Sequence, residues 1–173
     1  MRPEIHIETS VWPTRRPPID RPITSFIAEA FKRLPEVAAF ACAAIVETAA
    51  EKFVVLTRRA GAELAGAQRD PDPTLVRHIY DLHMIRQHYD SADVAVLARD
   101  IMLADAATYG NQFPAYRDDP LAETLRAVDG IAADPGFAQN YATFQRDMVY
   151  GAAADFETAI ATLQTLAELL IKK

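Results

Sequence analysis

Lys52 and Asp81 are the side chains whose type and setting invite chemistry: a mobile cation and a carboxylate, each at the margin of an apolar helix face. At about 100° per residue, Ile45, Ala49, Phe53 and Leu56 fall within one arc of about 80° on a helix beginning near Val46. Lys52 lies at the edge of that arc, where it can bury its methylenes and hold its ammonium in a cleft or in solvent. Glu47 and Glu51 point to the opposite side, where solvation is the simplest expectation. On the following helix Leu75, Ile79, Leu82 and Tyr89 define a core face with His78 on it and Asp81 at its margin. Arg77 stands one turn before Asp81, so an ion pair along the helix is the simplest role for that carboxylate.

His78, Asp81 and His88 fall within about 80° of one another, which raises metal chemistry. Their spacing matches no zinc signature of two histidines one turn apart with an intervening glutamate, and His83 points elsewhere, so core or capping histidines are expected. Cys42, the single cysteine, can form neither an internal disulfide nor a thiolate cluster and reads as a small buried apolar residue. The sequence has no Gly-x-Ser-x-Gly elbow, no phosphate loop and no dinucleotide fingerprint, so hydrolase and dehydrogenase readings have no support.

The elements that must position these groups follow from periodicity and punctuation. Glu4-Ile5-His6-Ile7-Glu8-Thr9 alternates polar and apolar residues, the period of a strand with one buried face. Pro13, Pro17, Pro18 and Pro22 then break the chain into a loop. Ile23–Ile27 and Ala39–Ala43, rich in β-branched, aromatic and small residues, are expected as second and third strands. From Val46 onward the pattern is helical, over residues 46–65, 74–88, 91–108, 121–132, 136–149 and 155–171. Ser91 marks one start and Asp134-Pro135 another, while Gly61 and Gly66 should loosen the end of the first long helix. The expected class is α+β, mostly α, with a few N-terminal strands followed by a bundle of five or six helices. One domain over 1–173 is expected, strand-containing over 1–45 and helical over 46–173.

Half the 173 residues are apolar and 24% are charged, and no apolar run approaches the roughly 20 residues that cross a bilayer. The first residues lack the features of a secretory or transit peptide, so a cytoplasmic location without a membrane role is expected. Charge is uneven: 11 basic and 10 acidic residues lie up to Arg77, against 7 basic and 14 acidic from His78 onward. A phosphate-binding surface therefore belongs to the first part, and the acidic remainder is ill suited to gripping a nucleic-acid backbone unaided.

Two segments carry a family resemblance: Glu47-Thr48-Ala49-Ala50-Glu51-Lys52-Phe53 with Leu56 and Arg58 following, and Arg77-His78-Ile79-Tyr80-Asp81-Leu82. They resemble the third and fourth motifs of the AbiEii/AbiGii-type nucleotidyltransferase toxins, and the strand at Glu4–Glu8 resembles the one preceding those motifs. The resemblance implies a DNA polymerase β-like core that transfers a nucleotide from a nucleoside triphosphate to an RNA acceptor such as tRNA, with Mg²⁺ as cofactor. It implies that Lys52 and Asp81 are catalytic, the lysine meeting the triphosphate and the aspartate orienting the lysine or the acceptor. Arg58 and Arg77 would bind substrate, and Glu4 would match a metal-binding carboxylate.

The sequence departs from that pattern in two places. The Gly-Ser turn and Asp-x-Asp strand, which should precede Glu4, do not fit in the three residues before it. Where the family has Arg-Asp ahead of Tyr-Asp-Leu, this chain has Arg77-His78. The expectation is a nucleotidyltransferase-like chain that is incomplete or inactive alone, its partners being an antitoxin, a missing N-terminal half or a second copy. The alternative is a non-catalytic helical module whose edge strand pairs with another chain.

Overall fold

The computed structural model describes residues 14–67 and 70–172. Glu4 and the strand expected at Glu4–Thr9 lie outside the described residues. The chain divides into two compact units, Met1–Ala44 and Ile45–Lys173.

In the first unit β1 (Ile19–Ile23) and β2 (Val37–Cys42) form an antiparallel two-stranded sheet. Ile19 pairs with Cys42 and Arg21 with Phe40, and the register shifts between Arg21 and Ile23. Pro22 sits at that shift, where a residue without an N–H cannot serve the ladder. The strand expected over Ile23–Ile27 ends at Ile23 instead, and Phe26–Ala30 forms a short helix, α1. Ser25 decides this: its Oγ accepts from the Ala28 N–H at 3.1 Å as the helix N-cap, while its own N–H donates to Glu36 at 2.9 Å. A side-chain cap thus outweighs the β-propensity of Ile27. Among the described residues of this unit only Ala28 and Ala44 are buried, and Cys42 is partly exposed rather than buried.

The second unit is helical: α2 (Ile45–Leu64), α3 (Arg77–Ile85) running into a 3₁₀ turn at Arg86–His88, α4 (Ser91–Tyr109), α5 (Pro114–Asp118), α6 (Pro120–Ala133), α7 (Pro135–Met148) and α8 (Phe156–Ile171). The six long helices match the expected segments, and α5 is an addition. Asp90, Asp119, Asp134 and Asp155 cap α4, α6, α7 and α8 by accepting backbone N–H groups. The start expected at Ser91 is therefore capped by the residue before it.

Helix α2 packs against α3, α4 and α6, and α8 closes over α3 and α4. Ala49, Ala50, Phe53, Val54 and Leu56 of α2 have no exposed surface, and they meet Ile79, Leu82, Val94 and Leu163 in one core. Because α2 has neighbours on several sides, Glu47 is buried at 2% exposure rather than solvated. Gly61 does not loosen the helix either. A Cβ there would lie 3.2 Å from Phe113 Cε1 and 3.4 Å from Ala127 Cβ, so it permits a close approach.

Candidate active site

Helices α2 and α3 bring Lys52 and Asp81 together, with Nζ donating to Oδ2 at 2.7 Å. Each residue is fixed by the core beside it: Phe53 adjoins Lys52, and Leu82 adjoins Asp81, both fully buried. The polar ends remain accessible, at 28% and 36% side-chain exposure. A charge-assisted pair held by two helices at the edge of a core can present its ammonium to an anionic ligand.

Arg77 does not make the expected pair with Asp81. Its guanidinium donates to Thr74 Oγ1 at 3.1 Å, and Thr74 is in turn held by Asp72. A lysine on a packed neighbouring helix reaches Asp81, whereas the exposed Arg77 turns back along its own chain.

His78 stands one turn before Asp81, half-buried, with a buried Nδ1 that makes no hydrogen bond. Burial first, and then the positive charges of Lys52 and Arg77, depress its pKa to about 4. It is therefore neutral near pH 7 and adds no second cation beside Lys52.

Arg58 lies elsewhere on α2. Its Nε contacts Asp105 Oδ2 of α4 at 2.7 Å, a close ion contact that falls short of an aligned hydrogen bond, and its guanidinium covers the Tyr109 ring at 4.5 Å. Both charged side chains are largely buried, and burial raises the Asp105 pKa against the pull of Arg58. Sequence reasoning missed Asp105, although its place one turn after the buried Ile101 put a carboxylate on the apolar face of α4. Phe113 and Tyr116, with rings stacked 6.3 Å apart, are packed core aromatics.

The sequence holds one Asp-x-Asp spacing, Asp70-Pro71-Asp72, and it lies in the loop between α2 and α3 rather than on a strand. Asp72 is engaged by Arg59 at 3.0 Å and by Thr74. Among the described residues no three His, Cys, Asp or Glu side chains converge as a metal site. The carboxylate nearest the cation, Asp81, is already paired with it, so these residues do not fit a Mg²⁺ site by themselves.

The model of the family described as nucleotidyl transferase AbiEii toxin, type IV TA system, matches residues 1–162. The chain belongs to this family. No curated protein and no solved structure matches it. Membership of the AbiEii family implies a nucleoside triphosphate substrate and, for a type IV toxin, an antitoxin partner in general terms. No helix among the described residues is long and apolar enough to cross a membrane.

Proposed function

We propose that Lys52 and Asp81 form the phosphate-facing half of a nucleotidyl-transfer site acting between a nucleoside triphosphate and an RNA acceptor such as tRNA. The observation that carries this reading is the 2.7 Å pair, set on two helices that the core holds rigid and left open to solvent at its polar end. In the reaction an acceptor hydroxyl gives up its proton to water as its oxygen bonds to the α-phosphorus, the bond from that phosphorus to the α,β-bridging oxygen breaks, and pyrophosphate leaves with that electron pair. Lys52 offers a point charge to the phosphate oxygens, and Asp81 keeps that ammonium aimed. His78, neutral near pH 7, adds no charge that would compete with Lys52 for the phosphate. Arg77 and Arg58 are the proposed substrate-binding arginines; Arg77 would have to leave Thr74 and Arg58 would have to leave Asp105 to serve so.

The metal-holding carboxylates are assigned to residues outside those described, with Glu4 as one. The absence of a Gly-Ser pair from the sequence and the loop position of its Asp-x-Asp support a chain that is inactive by itself. The test is transfer of α-labelled nucleotide to tRNA by the chain alone and together with a family segment bearing the Gly-Ser turn and Asp-x-Asp strand. Transfer only by the combination, abolished by Lys52→Ala, is expected. Transfer by the chain alone would overturn the incompleteness, and survival of activity in the Lys52→Ala variant would overturn the role of the lysine.

A second reading, a non-catalytic interaction module, is favoured by the first unit, where Phe26 is 90% and Leu34 88% exposed. Recovery of a stable protein complex that Lys52→Ala leaves unchanged, without nucleotide transfer under any combination, would select it.

A further inference from the structure

Helix α8 carries two apolar stripes. One, through Ala159, Leu163, Leu166 and Leu170, is buried in the core. The other runs Phe156, Ile160, Ala167 and Ile171 and is interrupted by the exposed, polar Gln164; Ile160 and Ala167 reach the same core, while Phe156 is partly buried and Ile171 is 58% exposed. Helix α6 contributes Leu125 and Val128 to an open cavity of about 430 Å³ beside α8, the end of α6 with Pro135 and Ala138 of α7 lines a second of about 500 Å³, and Gln164 borders both. The groove shares no residue with the Lys52–Asp81 cluster.

Its charged lining is of one sign. Asp129 and Glu168 border one cavity, Asp134 and Glu157 the other, and among the described residues no lysine or arginine lines either. We propose that this groove is the docking site for a basic amphipathic helix of a partner protein. An apolar floor with a polar rim is the form of a helix-in-groove site, and the rim of four carboxylates selects lysine and arginine on the flanks of the incoming helix. The same charges repel nucleic acid and anionic lipid. A second copy presenting the same face would set carboxylates against carboxylates. Between Leu125 and Asp134, α6 runs for about 14 Å, so the occupant needs about three helical turns. This proposal does not depend on the nucleotidyl-transfer reading.

The experiment uses the full chain and two fluorescein-labelled helical peptides of about 14 residues, one of leucine and lysine and one of leucine and glutamate, with leucines on a single stripe. Fluorescence anisotropy at about 0.15 M salt suppresses long-range attraction. Saturable binding of the lysine peptide alone is expected, weakened about tenfold or more by D129K/E168K and by Ile171→Glu, in which a charge enters the 58% exposed floor residue. The control D93K/D100K makes the same net-charge change at exposed carboxylates of α4 and should shift affinity by less than about twofold. Equal weakening by both double variants, equal binding of the two peptides, or no saturable binding would each overturn the proposal. Circular dichroism confirms that every variant is folded before its affinity is read.

Discussion

Removing the ammonium of Lys52 leaves the Asp81 carboxylate without its partner but still reached by water, since both side chains are about a third exposed. Lys52→Ala should therefore cost no more than about 1 kcal/mol of stability, read from urea unfolding, while abolishing any transfer activity of the completed site. A large loss of stability would make the pair structural. His78 adds a pH dependence whose sign is set by its depressed pKa. Below its ordinary value of 6.5 the unfolded chain takes up a proton that the folded chain refuses until about pH 4. Stability should thus fall as pH drops through that window, by about 1–2 kcal/mol after allowance for the exposed part of the ring. His83 is shifted in the same direction, so the assignment rests on comparison: His78→Gln should lose less stability than the wild type between neutral and acidic pH. An identical loss in both proteins would contradict it.

At the scale of elements, two helical glycines should respond in opposite ways. Gly61 faces Phe113 and Ala127 inside the bundle, and Gly61→Leu should cost about 2 kcal/mol or more by overpacking. A Cβ at Gly130 would meet only the flexible end of Leu64, a residue 40% exposed, so Gly130→Ala should gain about 0.5–1 kcal/mol of helix stability. Thermal unfolding of the two variants checks both signs. The long helices were legible because each repeats its apolar face over several turns, and four of them, α4, α6, α7 and α8, begin behind a capping aspartate. Helices α1 and α5, five residues each, are too short for such a period, and Ser25 and Pro114 were their local signs. The partner of Asp81 was not legible. A neighbour four residues away can be read from the chain, whereas Lys52, 29 residues away, arrives by the packing of α2 on α3. The burial of Glu47 and the Arg58–Asp105 contact escaped for the same reason, since both depend on which helices surround α2.

At the scale of the whole molecule, the two units differ in what holds them. The helical unit has the continuous core around α2, whereas the described part of the first unit buries Ala28 and Ala44 alone. Backbone amides of β1 and β2 should exchange with solvent far faster than those of α2, and a chain limited to residues 45–173 should unfold within a few degrees of the full chain's midpoint. Hydrogen exchange with mass spectrometry and a thermal melt measure these outcomes; a sharp loss of stability on removing the first unit would contradict them.

The chain has only four lysines, Lys32, Lys52, Lys172 and Lys173, which allows the central assignment to be read directly. An acyl-phosphate derivative of a nucleoside triphosphate acylates lysines lying beside its phosphates, and peptide mass spectrometry locates the label. Labelling of Lys52 that excess triphosphate suppresses, with labelling of the other lysines unchanged by competitor, is the predicted result. Lys52 left unlabelled, or labelled no more competitively than Lys32, would contradict the placement of the triphosphate at the Lys52–Asp81 pair.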